Sequence, residues 1–164
     1  MDDAAATIQM SAAALLEWTV FTPERQDAHL VAVCGPCIGH IVHPRSGVRE
    51  VYVVDGSVDH YREHEDEFDL ERAEALLPYI LVDPLRIHQD KKPSCLIFAG
   101  EFDTRYFLLV PVKCLPGEMW LQTLYICEKR DFLKRKWVKT GCLYVREGEG
   151  AWQDGQSLHQ SSEQ

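Results

Sequence analysis

Three apolar runs of strand length, residues 94–99, 104–113 and 119–127, are linked by short segments that carry the turn-forming stretches Gly-Glu-Phe-Asp and Leu-Pro-Gly-Glu. Connections this short join strands running in opposite directions, because a parallel pair needs a crossover of a dozen or more residues. The centre of the chain is therefore expected to form an antiparallel sheet. Two-residue periodicity puts Arg105, Phe107, Leu109, Pro111 and Lys113 on one face of the middle run. In the last run it groups Met119, Leu121, Thr123, Tyr125 and Cys127, with Thr123 and Tyr125 as polar exceptions on that face.

Upstream of the sheet the period changes. From Ser57, a candidate N-cap, the chain places Leu70, Ala73, Leu76, Leu77 and Ile80 near helical spacing. Pro78 is expected to end or kink the last turn, so the stretch reads as two short helices or one broken one. Asp83-Pro84 is read as a helix stop. Downstream, the charged segment Glu-Lys-Arg-Asp-Phe-Leu-Lys-Arg-Lys-Trp (128–137) suits a terminal helix with Phe132 and Leu133 turned inward. These features predict an α+β fold in which histidine-bearing helices pack on an antiparallel sheet, spanning residues 56–146. Residues 1–55 contain the short runs LLEWTVF, HLVAV and VREVYVV between Pro/Gly clusters, which predicts an N-terminal β extension. Residues 147–164 are polar and rich in Gly, Ser and Gln, as expected of a flexible tail.

A chain of 164 residues suits one domain, and its hydrophobic fraction of 46% is that of an ordinary globular protein. No apolar run reaches the roughly 18 residues that a membrane span requires, and the two aspartates at the start make a poor signal peptide. A cytoplasmic protein without membrane association is expected. Four of the six cysteines lie in or beside apolar runs, where reduced cysteine acts as a small hydrophobe. The net charge of −9 opposes nucleic-acid binding over the whole surface. One basic strip departs from that balance: Lys129, Arg130, Lys134, Arg135, Lys136 and Lys139 stand against Glu128 and Asp131.

His60 and His64, four residues apart, would share one face of a helix. Three readings stay open. They can be solvated histidines on a charged helix. His60-Tyr61-Arg62-Glu63-His64 also satisfies the H-x-x-E-H zinc pattern, in which the glutamate activates water. Or they can transfer protons in metal-free RNA cleavage, which needs a base for the 2′-hydroxyl, an acid for the leaving 5′-oxygen and donors for the charged intermediate. Histidine suits the first two tasks because its ordinary pKa is near neutral.

The run HYREHEDEFDLERAEALLPYILVDPLRIHQD, the strands ending in LVPVK and WLQTLYI, and the basic segment after them resemble the phage-associated barnase/EndoU/colicin/RelE-type nucleases over about half of the chain. Pro84-Leu85-Arg86-Ile87 matches the P-x-x-I strand start of that group. The resemblance implies a metal-independent endoribonuclease of toxin or mobile-element type, needing no cofactor, with RNA as substrate and an antitoxin or immunity protein as a possible partner. It implies acid–base roles for His64 and His60 and phosphate contacts from Thr123, Tyr125 and Lys113. Lys129, Arg130, Lys134, Arg135 and Lys136 would guide the RNA backbone. A non-catalytic relative serving as a binding or accessory protein is the alternative, and clustering of His64, Thr123 and Lys113 around one cleft would separate the two.

Two further patterns compete for residues near the N-terminus. Cys34-Gly35-Pro36-Cys37 is the thioredoxin tetrapeptide, but the β-branched, proline-interrupted sequence after it argues against the helix such a site needs. Cys34, Cys37, His40 and His43 could instead form a compact zinc knuckle, with histidines spaced more tightly than usual. His29, His88 and His159 are expected at the surface or in turns, and Arg72 is expected to pair with Glu71 or Glu74.

Overall fold

Strand β5 (Tyr106–Leu115), ten residues long, carries the sheet. One edge pairs along its length with β4 (Cys95–Glu101). The other pairs first with β7 (Tyr125–Glu128) and then with β6 (Glu118–Leu121). Gly117, at φ 77°, makes the tight β5–β6 turn, a backbone conformation that L side chains resist. Beyond β4 follow β3 (Arg86–Gln89) and β8 (Cys142–Val145); beyond β6 follow β2 (Glu50–Val54) and β1 (Ala28–Val33). The computed structural model describes residues 28–42 and 49–146. It is an α+β fold on a mixed sheet ordered β1-β2-β6-β5-β4-β3-β8, in which β2 and β6 are parallel and the other pairs antiparallel.

The two faces of the sheet bury separate cores. Leu96, Phe98, Leu108, Val110, Val112, Met119 and Leu121 face helices α2 (Asp55–Arg62) and α3 (Leu70–Val82), which contribute Val58, Tyr61, Ala73, Leu77 and Leu81. Ile97, Ala99, Phe107 and Leu109 face helices α4 (Lys129–Lys134) and α5 (Lys136–Thr140), which contribute Phe132, Leu133 and Val138. The expected inward placement of Phe132 and Leu133 is met.

Several local expectations need correction. The N-terminal β extension is not set apart from residues 56–146: β1 and β2 extend the same sheet through the Tyr52–Trp120 pairing. The LLEWTVF run and the tail 147–164 lie outside the described residues. Ser57 sits inside the first turn of α2, which begins at Asp55 without a side-chain cap; Asp69 caps α3 by accepting from Arg72 N at 3.1 Å. Pro78 does not end α3, which continues to Val82, because Leu77, Ile80 and Leu81 bury the helix against the sheet. A helix α1 (Pro36–Val42) follows β1 after all. Ile38 and Val42, one turn apart, are both buried, and that burial outweighs the modest helix penalty of β-branched residues.

The last predicted strand is broken. A strand residue's N–H and C=O point to the same side, and the Pro111 carbonyl accepts from Gln122 N at 2.9 Å. The donor that Pro111 lacks therefore faces this same neighbour. The ladder breaks opposite it: Leu121 pairs with Val112 and Tyr125 with Leu109, leaving three residues against two. The extra residue reverses the face. Leu124 and Ile126 join Met119 and Leu121, while Tyr125 and Cys127 turn to the α4–α5 side.

Phe132 is fully buried and meets Phe107, His88 and Trp137 edge to face, at 5.7, 5.3 and 6.1 Å. Phe132→Ala is expected to cost about 3–5 kcal/mol. Urea unfolding measures this directly; a loss below about 1 kcal/mol would mean that α4 is not anchored through this ring.

Candidate functional site

His60 lies in the last turn of α2 and His64 in the turn that follows it. Their rings meet edge to face at 5.9 Å. Arg62 ties this helix end to α3 through both Glu74 carboxylate oxygens, at 3.1 and 3.3 Å, instead of Glu74 pairing with Arg72. Arg72 instead lies over the Phe102 ring at 5.3 Å. Tyr61, between the two histidines, is buried, and burial followed by the Glu74 charge pushes its phenol well above the usual range. The histidines sit among carboxylates. His64 Nδ1 is 3.0 Å from Glu67 Oε1 and His60 Nδ1 is 3.8 Å from Glu63 Oε2, with Asp59, Glu65 and Asp66 exposed beside them.

Lys113 and Tyr125 belong to the other face. Lys113 pairs with Cys95 and Trp120, and Tyr125 with Leu109, on the side that packs against α4 and α5. Burial raises the Tyr125 phenol, with Asp90 adding to the effect. The Lys113 row continues through Trp120 to Tyr52, whose rings lie 5.6 Å apart. Thr123 is half-buried in the interruption between β6 and β7. The structure thus joins His60 to His64, and Lys113 to the Tyr125 side, but the expected convergence of His64 with Lys113 and Tyr125 does not form. The cause is topological: α2 covers one face of the sheet, and these strand residues project from the other.

The basic strip lies on the Lys113–Tyr125 side. Lys129 pairs with Glu101 at 3.0 Å and lies 5.6 Å from the Phe107 ring centre, so it is structurally committed. Arg135 donates to Cys127 Sγ at 3.5 Å. Arg130, Lys134, Lys136 and Lys139 are exposed, and no ion pair among the described residues engages them.

Cys34 is fully buried, and burial pushes its thiol up to about 12, the reverse of what a redox nucleophile needs. His40 is exposed on α1, while His43 and the Cys37 side chain lie outside the described residues. Among the described residues no group of three or more potential ligands could hold a metal ion, and no helix is long and apolar enough to cross a membrane.

One buried polar pair departs from the sequence expectation. His88 and Arg86, expected respectively at the surface and as a strand start, are 0% and 5% exposed beneath α4 and α5. His88 Nδ1 donates to Val138 O at 2.7 Å, and Nε2 accepts from Arg86 Nε at 3.0 Å, so the neutral ring is used on both sides. Two-residue spacing in Arg-Ile-His-Gln was the available signal: it puts Arg86 and His88 on one strand face. Burial, reinforced by the Arg86 charge, lowers the His88 pKa from 6.5 to about 4, against the opposing effect of the Val138 bond. The neutral form therefore stabilises the fold above pH 6.5, and that contribution of about 3 kcal/mol is lost as pH falls from 6.5 through about 4. His88→Gln, which keeps a donor and an acceptor but does not titrate, should flatten this part of the stability–pH curve measured by urea unfolding. Identical slopes in both proteins would remove His88 as the cause.

No family model matches this chain, and no curated protein or solved structure matches it.

Proposed function

We propose that this chain is an RNA-binding module of nuclease-like architecture that engages single-stranded RNA without cutting it. The observation carrying this reading is the separation of charge between the two sides of the sheet. Arg130, Lys134, Lys136 and Lys139 have no ion pair among the described residues and lie on the α4–α5 side, where Lys113, Tyr125, Trp120 and Tyr52 also project. Phosphates are drawn to free cations, and aromatic side chains on the same side stack on bases without demanding a sequence. The histidine pair lies across the sheet among Asp59, Glu63, Glu65, Asp66 and Glu67, which repel a phosphate backbone. A phosphate held on the cationic side is therefore out of reach of these proton carriers, and acid–base catalysis requires hydrogen-bond reach.

Binding of labelled single-stranded RNA, followed by anisotropy across a salt series, tests this. The double variant Lys134→Glu/Lys136→Glu should weaken binding about tenfold or more and reduce the salt slope by roughly 0.7 for each phosphate that is no longer neutralised. Unchanged affinity and slope would sink the assignment of this strip.

One observation favours a second reading, metal-independent RNA cleavage: the 5.9 Å approach of two exposed or half-exposed imidazoles supplies an acid and a base side by side. RNA incubated with wild type and His64→Ala in EDTA separates the two. The binding reading expects intact RNA from both; cleavage by wild type alone would establish the nuclease and the role of His64.

A further inference from the structure

Between the C-terminal half of α3 and the end of β4 lies a cavity of about 270 Å³ that neither histidine of the pair lines. Its apolar wall is formed by Ile80 and Leu85, and Tyr79 lines it with 45% of its surface exposed. Gly100 closes the base: a Cβ there would lie 2.2 Å from Ile80 Cγ1, so only glycine lets α3 rest directly on the β4 backbone.

Three charged residues complete the lining, and each has a partner. Asp83 Oδ2 accepts from Arg146 NH1 at 2.9 Å, and Glu101 Oε1 accepts from Lys129 Nζ at 3.0 Å. These pairs sum to no net charge, so the cavity has little field with which to hold a small ion. It offers acceptor oxygens and donor nitrogens beside an apolar wall and an accessible aromatic ring. The volume falls just below the roughly 300–1,000 Å³ of sites for drug-sized ligands, which suits one ring system. An uncharged planar ring with donors and acceptors along its edge matches this set, and a nucleobase is such a ring. Lys129, the first residue of α4, joins the Glu101 rim to the helix that bears the free cations.

We propose that this cavity is a nucleobase subsite, taking one base of an RNA strand whose phosphates lie along α4; the inference rests on the RNA-binding reading. Tyr79 stacks on the base, and Asp83 accepts from its edge N–H groups.

Free adenosine, guanosine, cytidine and uridine, which lack phosphate, are titrated into the whole protein while the Tyr79 ring and Ile80 methyl resonances are followed. At least one nucleoside should shift both sets saturably. Asp83→Ala should weaken that response about tenfold, the scale of losing a charge-assisted hydrogen bond. Tyr79→Ala, at an exposed ring whose loss leaves the core intact, should abolish the Ile80 shifts. No response to any of the four at millimolar concentration overturns the proposal, as does a response that both variants leave unchanged. Because nucleosides do not need the strip, the two readings fail separately. RNA binding without a nucleoside response removes the subsite and keeps the strip. A nucleoside response without RNA binding removes the RNA reading and leaves a site for free nucleosides.

Discussion

The structure depends on β5 being buried on both faces along its central residues. Leu108, Val110 and Val112 point into one core, while Phe107 and Leu109 point into the other. A strand of this kind must be covered by helices on both sides, so α2–α3 and α4–α5 are each required by the other's presence across the sheet. Pro111 interrupts the pattern at one place. Its missing donor costs a ladder bond to β6–β7, and the resulting bulge decides which side Tyr125 and Cys127 face. A single imino acid thereby assigns the only tyrosine of β7 to the surface that carries the free cations.

Two polar anchors hold the helical layers in register with the sheet. On one side the bidentate Arg62–Glu74 pair clamps the end of α2 to α3 and sets where His60 and His64 stand. On the other, His88 reaches from β3 to the Val138 carbonyl of α5 while accepting from Arg86. The second anchor works only with a neutral imidazole, since protonation would remove the acceptor for Arg86 and put two cations in contact inside a core. Buried polar groups are tolerated when each donor and acceptor is answered, and the His88 ring meets that condition through a backbone carbonyl and a neighbouring side chain.

Charge is segregated across this architecture. A net charge of −9 hides an arrangement in which carboxylates crowd the α2–α3 side, while Arg130, Lys134, Lys136 and Lys139, with no ion pair among the described residues, occupy α4–α5. The single sheet, covered by helices on both faces, separates the histidines from the cations. The exposed imidazoles and the exposed cations therefore stand on opposite faces of the sheet. The cavity beside Tyr79 lies between α3 and the end of β4, and one of its lining residues, Glu101, pairs with Lys129 at the start of α4.

The sequence by itself determined the strand-rich centre, the helical segment before it and the inward placement of Phe132 and Leu133, because period-two and helical apolar spacing are local properties. It also made visible the basic strip and the spacing of His60 and His64. It did not reveal that β1 and β2 join the main sheet, since a parallel pairing between residues nearly seventy positions apart leaves no local mark (Tyr52 with Trp120). Nor did it reveal α1, where β-branched residues become helical because Ile38 and Val42 are buried in the core. Only the tertiary structure decided which candidate residues meet. Lys113 and Tyr125 could be assigned to strands from the sequence, but their face relative to His64 depends on where α2 crosses the sheet and on a bulge opposite Pro111. Both are set by packing across the whole fold, where shifting a strand by one residue would bury polar side chains and expose apolar ones.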